Sequence, residues 1–346
     1  MYEWFGWPVV AIHSIRFYLN SDRNLHATPL AGPRSNGKPG NKSPLIFPLD
    51  TIFVLSVPIS THESFLYCNH RPNLLSYKQR SEVQWKIKAE NKIVSFAAKV
   101  WAKLESSKLS INKLIVALLR RLLSSIPYHE NSLRSFPCKS VMIREVNDNY
   151  CELLPNAVMT SALEADLVSV DQLKPIPVFH PRFQEPQAIL DQMHELRSSM
   201  SNFHKKRAIL CALAIPLCLP VALIPVVPNV PGFYFAYRLY CHLQALRGAH
   251  NLGYLLESNN YDESVEDTTH LTFRAVAGLD EPYLASGSFE KVRNFTSEEP
   301  EKLLISPEVI EALAEATGLS QIKDDLLRAY KQESRRLKQD MEETPE

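Results

Sequence analysis

Side chains able to do acid–base or ligand chemistry are thinly spread along this 346-residue chain. His62, Glu63, Cys68 and His70 fall in one short stretch, and these residue types ligate metals elsewhere. Their spacing matches no standard site, so no metal ligand is expected. The six cysteines (Cys68, Cys138, Cys151, Cys211, Cys218, Cys241) form no C-x-x-C pair. Three of them lie in or beside an apolar run, where Cys packs as a small hydrophobe, and a reducing compartment fits this usage. P-loop, G-x-G-x-x-G, G-x-S-x-G and H-E-x-x-H motifs are all missing, and ten glycines are few for phosphate-cradling loops. The reading is therefore of a non-enzyme with no catalytic residue and no cofactor.

The remaining candidates border one segment. Ala208–Tyr237 runs thirty residues without a charge, longer than the roughly 20 that a membrane helix needs. Fourteen of its residues are Leu, Ile, Val or Phe, the types that favour insertion. Basic residues flank it: Lys205, Lys206 and Arg207 before, Arg238 and Arg247 after. The aromatics Phe233, Tyr234, Phe235, Tyr237 and Tyr240 cluster at its end, as at a membrane–water interface. Lipid phosphate is the expected contact of these cations, and of Arg120–Arg121. Nucleic acid is not expected, because no strongly basic domain with interleaved aromatics is present.

Five prolines interrupt the segment, and Pro225, Pro228, Asn229, Pro231 and Gly232 mark the break. Two membrane arrangements follow: a single kinked span, or a hairpin in which Ala208–Val227 enters and Phe233–Leu256 returns. The hairpin is favoured, and it places both basic flanks on one side. The alternative is an apolar helix pair buried in a soluble core. No Asp or Glu occurs between Glu195 and Glu257, so the segment by itself lacks the carboxylate of an ion pathway. His242 is the side chain there that titrates nearest neutrality, although a lone helical histidine is more often structural.

The surrounding elements follow from local pattern. Thr51–Cys68 predicts a strand, a turn and a second short element. Ser81–Ser106 and Ser110–Ser125 have helical spacing, and Pro127–Cys138 reads as an irregular connection. Asp148–Arg182 reads as loop with one helix near Val158–Ser169, and Pro186–Arg207 as a helix feeding the apolar run. Asp262–Glu301 is acidic and loop-like. Ser306–Leu337 reads as two helices, with Ser306 as N-cap, Pro307 at N1 and Gly318 just past the first.

Charge divides the chain. Residues 1–256 hold 28 Lys/Arg against 17 Asp/Glu, and residues 257–346 hold 10 against 21, so a net charge of zero hides two environments. The expected organisation is an extension or transit segment at 1–50, a core at 51–257 containing the membrane segment 208–237, an acidic linker at 258–301 and a helical tail at 302–346. The fold class is mainly α: a membrane-associated helical protein with a Pro-broken helix or hairpin, a small N-terminal strand element and a C-terminal helix pair.

Several stretches resemble the fungal mitochondrial potassium–proton exchange-related family. They are LSVPISTHESFLYC (Leu55–Cys68), SSIPYHENSLRSFP (Ser124–Pro137), IPLCLPVALIPVVPNVPGFYFAYRLYCHLQALRG (Ile215–Gly248) and LRAYKQ (Leu327–Gln332). His129 departs from the family's Ile-Pro-Tyr-Glu-Glu element. The resemblance implies a mitochondrial inner-membrane protein of potassium homeostasis, supporting an exchanger alongside other membrane proteins. A carrier in its own right and a structural factor in assembly or ribosome association are its rivals.

Overall fold

The computed structural model describes residue 47, residues 51–70, 106, 110–150, 154–165, 167–218, 220, 230–257, 268–288 and 301–343. The helix expected over Ser81–Ser106 and the break residues Pro225, Pro228 and Asn229 fall outside them, apart from Ser106.

At the centre is a mixed sheet ordered β2-β1-β5-β6. Where a strand, a turn and a second short element are expected, β1 (Phe53–Pro58) and β2 (Ser64–Asn69) form an antiparallel hairpin, with Phe53 opposite Asn69 and Pro58 opposite Ser64. Every residue of both strands is buried, because both faces of the sheet are covered. Phe53, Leu55, Val57, Phe65 and Tyr67 point to one side, and Val54, Leu66 and Cys68 to the other, the two-residue period of a strand. Phe47, within the stretch read as an extension, stacks on Phe53 with ring centroids 5.8 Å apart.

The small pair β3 (Ile143–Glu145) and β4 (Ala157–Met159) forms a second sheet. Strands β5 (Ile176–His180) and β6 (Leu271–Ala275) complete the first, with β5 parallel to both β1 and β6. These strands correct the mainly-α expectation to a mixed α/β fold. They also replace the helix expected near Val158–Ser169, of which only a turn at Ser161–Glu164 forms. Pro177 hid β5. The Ile176 N–H donates to His270 O and His180 O accepts from Val276, so even-numbered residues bond to β6. Pro177 thus faces β1 one residue before that pairing starts at Val178, where its missing N–H breaks no ladder bond.

One layer of helices covers each face. On the Phe53 side, α6 (Pro307–Thr317) and α7 (Lys323–Glu343) bring Val309, Ile310, Leu313 and Leu326 into the core, beside the short α5 (Glu281–Ala285). The predicted caps of α6 are present: the Ser306 hydroxyl accepts from the Val309 N–H, and Gly318 closes the helix at φ +68°. On the other face lie α2 (Tyr128–Ser135), α3 (Pro186–Leu217) and α4 (Val230–Leu255), preceded by α1 (Ser110–Ser124). Helices α3 and α4 form a hairpin, whose first arm starts at Pro186 and not at Ala208 as in the expected membrane hairpin. They pack antiparallel, Arg197 meeting Gly253 while His204 meets His242.

Among the described residues no helix is long and apolar enough to cross a membrane. Of the apolar run, residues 208–217 form the last turns of α3, where Ala208 and Cys211 are buried while Ile209, Leu210, Leu213 and Leu217 are exposed, and residues 230–237 begin α4.

Candidate functional site

Helix α2 forms where the sequence suggests an irregular connection, because its stability is tertiary. It lies on α4 so closely that a Cβ on Gly248 would sit 1.9 Å from the Leu133 carbonyl oxygen. Glycine at 248 is what permits this approach. The contact turns Glu130, in the first turn of α2, into the interior of the hairpin.

Glu130 is 0% exposed and meets Arg238 of α4 in a two-pronged pair: Nη1 donates to Oε1 at 2.7 Å, and Nη2 to Oε2 at 2.9 Å. Burial alone would raise the Glu130 pKa. The bonds and charge of Arg238 outweigh it and hold the carboxyl below its ordinary value. Arg238 is raised in turn, Glu130 overcoming the effect of its own burial.

Two histidines complete the cluster. His242 lies one turn after Arg238, and His204 reaches it from α3 with the Nδ1 atoms 2.9 Å apart. Arg238 Nη2 also contacts His242 Nε2 at 3.3 Å. These contacts assign the protons. A guanidinium only donates, so His242 Nε2 accepts and its proton sits on Nδ1. That proton is donated to His204 Nδ1, which leaves the second proton of the pair on His204 Nε2. The latter atom is buried and has no partner among the described residues. Burial and then the Arg238 charge push His242 down to about 4, and burial also lowers His204, so both rings are neutral at neutral pH. His242, expected as a titrating group, is thereby withdrawn from titration near neutrality.

Oxygen Oε2 of Glu130 lies 3.9 Å from His204 Nδ1 and 3.8 Å from His242 Nδ1. Glu130, His204 and His242 are accordingly the one described group able to offer three ligand atoms to a metal ion. Arg238 and His242 also line a cleft of about 480 Å³, together with Leu122, Phe203, Arg207 and Tyr234.

The other expected cations fall elsewhere. Lys205, Lys206, Arg207 and Arg247 are exposed, whereas Arg238 is turned inward to Glu130 and is spent on that pair instead of on lipid phosphate. Pro231 and Gly232 stand in the first turn of α4. Sequence reasoning missed Glu130 and His204. Both lay in view, Glu130 in the stretch SSIPYHENSLRSFP and His204 at the basic flank, but pairing across 108 residues leaves no local signal.

The profile of a family described as mitochondrial K+-H+ exchange-related matches residues 54–256, which contain the whole cluster. The chain is 33% identical over 290 residues to the uncharacterized protein YDL183C of Saccharomyces cerevisiae, covering 83% of this chain and 86% of that one. It is 25% identical over 207 residues to the uncharacterized protein C23H3.12c of Schizosaccharomyces pombe, covering 60% and 76%. No solved structure matches.

Proposed function

The chain belongs to the mitochondrial K+-H+ exchange-related family, and from that premise we propose that it is a non-enzymatic accessory component of potassium–proton exchange at the inner membrane. One observation carries the membrane part of this reading. Helix α3 ends in an exposed apolar stripe, Ile209, Leu210, Leu213 and Leu217, the last 79% exposed. A second stripe on α1, Leu114 and Leu118, continues to Leu122, which lines the same cleft as Leu210. Lys205, Lys206 and Arg207 are exposed directly before the α3 stripe. An apolar patch with a basic collar is the pattern of an element that lies in the lipid interface and meets anionic headgroups.

In this reading the hairpin end rests in the membrane and the α/β body stands off it. The acidic C-terminal region, with 21 Asp/Glu beyond residue 256, faces protein partners of the exchanger. The test is passive swelling of isolated mitochondria in potassium acetate. Organelles lacking the protein should swell and contract more slowly than wild type, and restoring the chain should reverse this. Unchanged rates in the deletion overturn the proposal.

A second reading, in which the chain is itself the carrier, gains from Glu130, the carboxylate that the hairpin segment lacks. Both Glu130 oxygens are bound to Arg238, however, which keeps this carboxylate paired. The accessory role is therefore preferred.

A further inference from the structure

We propose that Glu130, His204 and His242 form a binding site for a single transition-metal ion, zinc by ligand type. This inference is independent of the exchange reading. The three ligand atoms, Glu130 Oε2, His204 Nδ1 and His242 Nδ1, form a triangle with sides of 2.9, 3.8 and 3.9 Å. A point equidistant from its corners lies about 2.1 Å from each, the bond length of zinc to imidazole nitrogen and carboxylate oxygen.

The chemistry of the set agrees. Two imidazoles and one carboxylate suit zinc and its neighbours, whereas potassium, magnesium and calcium call for oxygen. Both imidazoles are neutral, the form that ligates, and the carboxylate is ionised. Arg238 holds the carboxylate from outside, as hydrogen-bonded partners of ligating groups do. Three protein ligands leave a coordination position for water. The cleft lined by His242 and Arg238 supplies an entry path.

One rearrangement is required. The proton on His242 Nδ1 moves to Nε2, so the 3.3 Å contact from Arg238 Nη2 opens while both bonds to Glu130 remain. The guanidinium charge opposes the ion, so the site should bind more weakly than one without a neighbouring cation. The ion would join α2, α3 and α4 at a single point, fastening the hairpin to the body.

The experiment uses the purified full chain, stripped with EDTA and dialysed against Zn2+ or Co2+. We expect one ion per chain by elemental analysis, a higher Tm when loaded, and Co2+ d–d bands of a four-coordinate nitrogen–oxygen site without a thiolate charge-transfer band. His204→Asn and His242→Asn should each lose the ion, while His250→Asn, at an exposed position, should keep it. The absence of bound ion in the folded wild-type chain overturns the proposal. So does an octahedral or thiolate Co2+ spectrum, a result that stands even if the histidine variants fail to fold.

Discussion

Glu130 and Arg238, 108 residues apart in sequence, meet through two bonds of 2.7 and 2.9 Å at a site where the carboxylate is wholly buried. Buried pairs of this kind cost desolvation on both sides, and the greater cost comes when one partner is removed. Glu130→Ala should destabilise the protein by about 3–5 kcal/mol, because it leaves the Arg238 charge buried without its counterion. The double variant Glu130→Leu/Arg238→Met should recover much of that loss. Chaotrope unfolding of both variants measures the two effects, and a double variant as unstable as Glu130→Ala contradicts the account.

Gly248 governs whether α2 can dock. A Cβ there would meet the Leu133 backbone oxygen at 1.9 Å, and backbone cannot swing aside. Gly248→Ala should therefore cost at least about 1–3 kcal/mol, the range of an overpacked core. Gly253→Ala meets only the Arg197 side chain, at 2.7 Å, and should cost less. Comparing the two thermal midpoints tests the argument, and equal losses refute it.

Acid should unfold the protein partly through His270. It is buried, and burial followed by the Arg144 and Lys139 charges lowers it to about 4. The folded chain thus declines a proton that the unfolded chain binds below about 6.5, so stability falls as pH drops between those values and levels off below the folded pKa. The contribution is on the order of 3 kcal/mol across that window. His270→Gln should flatten this part of the stability–pH curve, measured by denaturant unfolding from pH 7.5 to 4.

Exposed leucines at the end of α3 should matter for lipid and not for folding. Leu213→Glu and Leu217→Glu remove apolar surface that is already in solvent, so Tm should stay within a degree or two. Flotation with vesicles containing anionic lipid should fall severalfold. Lys205→Gln/Lys206→Gln/Arg207→Gln should weaken the same binding most at low salt, where charge attraction is least screened. Retained flotation in all three variants would argue against the hairpin end as the membrane contact.

Local signals carried much of the architecture. The β1–β2 hairpin, the helix from Pro186, and α6 with its Ser306 cap and Gly318 end are written in periodicity and capping residues a few positions apart. The family, too, was legible, in the stretches around Pro127, Arg238 and His242. Strands β5 and β6 were not, since five-residue strands with a proline or a charge look like loop until their partners are known. The same holds for α2, eight residues long and too short to be helical alone.

Sequence by itself determined that a helix from Pro186 feeds an apolar run, that basic residues flank that run, and that no acid occurs between Glu195 and Glu257. Only the tertiary structure decided that Arg238 turns inward, that Glu130 arrives from another helix to meet it, and that His204 and His242 share a proton. Each depends on atoms brought within about 3 Å by the packing of α2 and α3 on α4. Helical periodicity acts over a turn or two, and such packing joins residues that no periodicity links.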